Sequence, residues 1–179
     1  MNIIKQEDWT TTEWSGGTTS ELFIYPENTS FKKGDFEVRI SLATVEVESS
    51  EFTPLLGIER TLMVLEGSQL LNHEGHHTAD LQQFNQDTFS GNWKTSCQGT
   101  STNFNVMCQD DQFVRVQSLP VLEGMKGNLD FSDTFVFLYV KDGSIMADGT
   151  KIEKGQSIVI DSAISIEGLE DSILIEVVY

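Results

Sequence analysis

The sequence predicts an all-β protein folded as two jelly-roll-like β-barrels in one chain. Three observations lead there: apolar residues recur with period two over short runs, turn dipeptides punctuate the chain at close intervals, and one strand-turn pattern occurs twice. The expected division is residues 1–110 for the first barrel and 111–179 for a bridge and the second.

Taken in order, the stretch Trp14-Ser15-Gly16-Gly17-Thr18-Thr19-Ser20-Glu21 comes first. Two readings stand side by side: a flexible connector, or a segment whose glycines let the backbone approach another group while Trp14 offers a flat apolar wall. It leads into the strand-like LFIYP. Next, Phe36, Val38, Ile40 and Leu42 alternate with Glu37, Arg39, Ser41 and Ala43, which puts Arg39 and Ser41 on one polar face. Thr53, Pro54 and Gly57 mark a turn, and RTLMVLE, from Arg60 to Glu66, is apolar on both faces, as in a central strand with Arg60 at its entrance. Turns follow at Glu66-Gly67, Glu74-Gly75, Gly91-Asn92, Asp142-Gly143, Asp148-Gly149 and Lys154-Gly155. The repeat pairs LMVLEGSQLLNHEG (Leu62 to Gly75) with FLYVKDGSIMADG (Phe137 to Gly149); strand-rich tails follow, ending in Asn103 to Cys108 and Ser172 to Tyr179. Pro120, Gly124 and Gly127 keep the bridge, Gln109 to Asn128, free of long regular elements.

Composition bounds the function. With 179 residues and 39% hydrophobic content the chain is ordinary for a globular protein, and its formal charge of -17 argues against nucleic acid or an anionic membrane as partner. A small anionic ligand stays compatible, because the distant field is screened beyond about 8 Å and a local cationic pocket acts within that range. No apolar run is long enough for a signal peptide or a membrane span, so the expected location is the cytoplasm. Cys97 and Cys108 read as reduced thiols. No oligomeric state is fixed, and a homodimer is compatible with the sequence.

All three histidines fall within NHEGHH, residues 72–77. Imidazoles this close together could hold a metal, but Glu74-Gly75 has the chemistry of a hairpin tip. The expectation is therefore exposed turn flanks at His73 and His76 and no metal site. Nucleophile elbow, P-loop and dinucleotide fingerprint are all missing, and no catalytic residue or cofactor is assigned. More telling are Arg39 and Arg60, two of three arginines, embedded in apolar sequence. A buried guanidinium needs an acceptor. That acceptor is either an internal carboxylate such as Glu21 or Glu59, or the carboxylate of a ligand.

Five collinear motifs then carry a family resemblance: W-x-G-G-T-T-x-E (Trp14 to Glu21), F-x-x-R-I-S-x-A-T-V-E (Phe36 to Glu46), F-x-x-x-x-G-I-E-R-T-L-M-x-L-E-G (Phe52 to Gly67), F-S-G-N (Phe89 to Asn92) and N-F-N-V-M (Asn103 to Met107). In order and spacing the chain resembles the HutD/Ves family. The resemblance implies a bicupin without the histidine metal motif of enzymatic cupins. It also implies a regulatory role in histidine utilisation through formylglutamate or a related intermediate, or, in the Ves branch, a role in stress responses. Carried over by position, the pocket would comprise Trp14, Thr18, Glu21, Arg39, Ser41, Arg60, Phe89, Asn105 and Met107. Glu59, Asn92 and Asn103 stand where the family often has Asp. The leading expectation is a metal-free binding protein for a small carboxylate metabolite. The alternative is a metal-independent cupin enzyme with Glu21 or Glu59 as general acid or base.

Overall fold

Short alternating runs broken by Gly and Asp turns cannot build long helices, and the chain folds almost entirely as antiparallel strands. The computed structural model describes residues 1–109, 112–129 and 135–179. Apart from a 3-10 turn at Gln6–Asp8, the elements in chain order are β1 (Asn2–Ile4), β2 (Thr10–Trp14), β3 (Gly17–Tyr25), β4 (Val38–Val45), β5 (Ser49–Glu51), β6 (Ile58–Gly67), β7 (Gln69–His73), β8 (Thr78–Leu81), β9 (Gln86–Ser90), β10 (Thr95–Gln98), β11 (Ser101–Gln109), β12 (Arg115–Val121), β13 (Lys126–Leu129), β14 (Val136–Asp142), β15 (Ser144–Ala147), β16 (Thr150–Glu153), β17 (Ser157–Ile160), β18 (Ile164–Gly168) and β19 (Ser172–Val178). Among the described residues no helix is long and apolar enough to cross a membrane.

The chain forms two compact units, Trp9–Phe113 on the one hand and Met1–Asp8 with Val114–Tyr179 on the other. The boundary expected between residues 110 and 111 lies outside the described residues. The first eight residues join the C-terminal unit rather than the first barrel, because β1 pairs antiparallel with β17 (Ile3 opposite Ile158).

Unit Trp9–Phe113 has a six-stranded sheet, β2-β3-β4-β11-β6-β9, and a four-stranded sheet, β5-β10-β7-β8. Leu62, Val64 and Phe89 of the larger sheet cluster with Leu71, Leu81 and Cys97 of the smaller, which identifies the inward face of each. A second cluster, Phe36, Ile58 and Met107 with Ile24 and Leu55 packed on it, lies at another position of the same unit. Both cysteines are buried, and no disulfide joins them.

Two irregularities set up the site. A bulge between Glu21 and Phe23 shifts the β3-β4 register by one residue, so Glu21 (opposite Ser41) and Ile24 (opposite Arg39) share a face despite their odd separation. In the β2-β3 hairpin Gly17 adopts φ 148°, and an added Cβ there would stand 1.9 Å from the Thr44 carbonyl oxygen. The Gly-Gly pair is thus a turn of close backbone approach, not a flexible connector. Gly17→Ala is expected to cost about 2 kcal/mol by clash and backbone strain, read as a lowered midpoint in thermal denaturation.

The C-terminal unit repeats the plan with a five-stranded sheet, β1-β17-β14-β19-β12, and a four-stranded one, β13-β18-β15-β16. Val136, Leu138, Val140, Ile145, Ile152 and Leu174 belong to its apolar core. The sequence repeat has a structural cause. β6 turns into β7, and β14 into β15, each leaving the larger sheet for the smaller at a glycine with φ near +80° (Gly67 and Gly143). Each glycine abuts the first residues of the last long strand of its unit: a Cβ would lie 2.4 Å from Thr100 O at Gly67 and 2.2 Å from Ser172 Oγ at Gly143.

Candidate functional site

Period-two alternation on five strands of the large sheet produces a lattice of side chains on its inward face. One row runs Ile24, Arg39, Met107, Arg60, Phe89 across β3, β4, β11, β6 and β9. The next runs Glu21, Ser41, Asn105, Leu62, Asp87. Seven of the nine residues expected in the pocket therefore share one face. The other two do not. Thr18 pairs with Thr44, three positions from Ser41, and so points to the opposite face. Trp14 lies over Gly16 of its own hairpin, close enough that a Cβ on Gly16 would fall 2.1 Å from the indole ring.

The two arginines have different company. Arg39 is buried and donates from Nε to Glu21 Oε2 at 2.6 Å and from Nη1 to Ser41 Oγ at 3.3 Å. Phe31 covers its guanidinium at 4.4 Å. This is a charge-assisted ion pair under an aromatic lid. Arg60 is partly buried and makes no ion pair with any described carboxylate; its contacts are a long hydrogen bond to Thr53 O, 3.5 Å, and the rings of Phe52 and Phe89 at 4.7 and 5.5 Å. Burial, with the charge of Arg39 adding to it, pushes the Arg60 guanidinium down to about 10. At neutral pH it stays a cation with no counter-charge among the described residues. Glu59, the other carboxylate considered as its partner, follows the strand alternation onto the opposite face of β6.

Beside Arg60, Asn105 is buried, and its side-chain amide makes no hydrogen bond with the described residues. Ser41 accepts from Arg39 and retains its own O–H to donate. Met107 and Phe89 are both buried and complete the apolar surround. The face thus offers one uncompensated cation, an amide, a hydroxyl and apolar walls.

Of the two histidines expected as exposed flanks, His76 is exposed and His73 corrects the expectation. His73 is 1% exposed; its Nδ1 is 2.8 Å from Thr95 Oγ1 and its Nε2 2.8 Å from Asp87 Oδ2. Burial outweighs the carboxylate and holds His73 below the usual histidine value. His77, exposed, places Nε2 3.0 Å from the same Asp87 oxygen, while His76 stacks on Trp93 at 3.8 Å. The β7-β8 hairpin is tied across its tip by His73 N–H donating to His77 O, which brings the rings together. Sequence reasoning missed Asp87, Phe31 and Phe52. Asp87 was accessible to it, since it stands two residues before Phe89 in a strand and so on the same face.

The HutD family model matches residues 6–173. The chain belongs to the HutD family. Among solved structures it is similar to a conserved protein of unknown function from Pseudomonas aeruginosa PAO1, with 22% identity, TM-score 0.82, and 99% of this chain and 97% of that one covered. HutD from Pseudomonas fluorescens SBW25, solved in a formate condition, matches at 20% identity and TM-score 0.75 over 98% and 97% of the two chains. The bacterial pirin YhhW from Escherichia coli, in complex with nickel(II), matches at 12% identity and TM-score 0.77 over 99% and 97%. No curated protein matches the chain closely. At these identities the structural likenesses show the fold, a bicupin, as the sequence predicts. Within this HutD family member the arginine face lies in the N-terminal of the two units.

Proposed function

We propose that this HutD family protein is a cytoplasmic binding protein for a small carboxylate metabolite of the formylglutamate kind, serving to regulate histidine utilisation or a stress response. Arg60 carries the reading. A partly buried guanidinium facing no carboxylate among the described residues is destabilising until an anion arrives, so the fold retains it at a cost that a ligand relieves. Arg60 clamps the carboxylate, Asn105 and Ser41 pair with an amide or formyl group, and Phe89 and Met107 exclude water. Glu21 is tied to Arg39 and so is not available as a general acid or base, which favours binding over catalysis. Formate, the condition in which the P. fluorescens HutD structure was solved, is itself a carboxylate.

Calorimetric titration with formylglutamate, formiminoglutamate, glutarate and succinate tests this. The expected result is saturable one-to-one binding of at least one of them, strongest for a ligand carrying both a carboxylate and an amide or formyl group. Absence of heat with the whole panel, together with an unchanged melting temperature in its presence, would overturn the reading.

A further inference from the structure

We propose that His73, His77 and Asp87 form a divalent transition-metal site in the N-terminal unit, with Asp87 at the end of the row that holds Ser41 and Asn105. Three donor atoms, the two imidazole Nε2 atoms and a carboxylate oxygen of Asp87, all lie within 4.8 Å of one another. A four-coordinate zinc ion with bonds of about 2.1 Å wants its ligands some 3.4 Å apart, so small rotations of existing side chains bring this set to that spacing. Two imidazoles and one carboxylate make a borderline N2O donor set, suited to zinc or nickel and unsuited to magnesium or calcium.

The groups behind the donors argue for the same assignment. His73 sits in the interior, wedged against Phe89 (ring centroids 4.4 Å) and Trp93 (5.7 Å), which fixes the ring plane. Its Nδ1 meets Thr95 Oγ1 at 2.8 Å, and that hydroxyl in turn reaches the Trp93 carbonyl, an obligate acceptor, 3.5 Å away. With that hydroxyl donating to the carbonyl and accepting from Nδ1–H, the Nε2 lone pair faces the Asp87 carboxylate, 2.8 Å off; in the other tautomer Nε2–H donates to it. In the metal-free protein a proton on Nε2 bridges that gap, and a metal ion taking the proton's place would bond to the same two atoms. An outer hydrogen bond on Nδ1 that presents Nε2 is also how metal-binding histidines are commonly oriented. His77, with a side chain 42% exposed, supplies the third donor from the hairpin and leaves the site open to solvent for metal entry and for a water or ligand in the remaining position. The ring of Phe89 has both His73 and Arg60 against it.

Full-length protein without a polyhistidine tag, stripped with chelator, is titrated with zinc(II) and separately with nickel(II) by calorimetry. One equivalent of at least one metal binds. His77→Ala and Asp87→Asn each weaken that binding by roughly 100-fold, whereas His76→Ala and Arg60→Met leave it unchanged. Because His77 is exposed, its removal leaves the fold intact, and circular dichroism confirms this for each variant. Absence of saturable binding of either metal, or binding that survives His77→Ala and Asp87→Asn, would overturn the proposal and leave Asp87 as a plain acceptor of two imidazole N–H groups. Carboxylate binding is measured with the same variants, so failure of the metal site and failure of the carboxylate site are read separately.

Discussion

Glu21→Ala lowers the melting temperature by roughly 6–12 °C, which corresponds to about 3 kcal/mol in a chain of this size. The reason is the position of Arg39. Its side chain is 8% exposed, so removing the carboxylate 2.6 Å from Nε leaves a guanidinium in the interior with, among the described residues, Ser41 and the face of Phe31. Breaking a buried pair from one side costs more than the pair contributes, because the remaining charge stays desolvated. Glu21→Gln keeps an acceptor and is expected to lose about half as much. Thermal denaturation of the two variants beside wild type checks the ordering. Equal stability of all three would mean that Arg39 finds another acceptor.

Arg60→Met has the opposite signature. Affinity for the carboxylate ligand falls by about 100-fold or more, since a charge-assisted clamp is lost, while the melting temperature stays level or rises. Two contributions compete in the stability. The cation-π contacts with Phe52 and Phe89 are lost, worth about 1–2 kcal/mol at partly desolvated positions. Against that, the desolvated and unneutralised charge disappears, and methionine packs its thioether against the same rings. A methionine variant that is both destabilised and fully competent to bind would reverse the roles given to the two arginines.

How far the sequence reaches can be seen in particular residues. Period two placed Arg39 with Ser41, and the family resemblance put Asn105 and Met107 with them; the register of β4, β11, β6 and β9 agrees. The repeat announced two similar units because the turn from one sheet to the other needs the same glycine in both. Three features stayed hidden. Thr18 and Glu21 lie in one strand, but which of them faces inward depends on the register of β3 against β4, a long-range pairing that local residue types do not set. Trp14 looked like a pocket wall because its flanking glycines suggest close approach, yet the group approached is the indole's own neighbour, Gly16. His73 was read from its turn, whereas its burial comes from Phe89 and Trp93, distant in sequence. Whether Arg39 and Arg60 meet Glu21 or a ligand was likewise beyond residue spacing. The structure divides the question: Arg39 takes Glu21, and Arg60 has no internal counter-ion among the described residues.

That division is tested most directly by a crystal structure of the protein soaked with formylglutamate. The account predicts a ligand carboxylate on the Arg60 guanidinium, within reach of Asn105, with the Arg39–Glu21 ion pair unbroken. A carboxylate bound away from Arg60, or one that displaces Glu21 from Arg39, would contradict it.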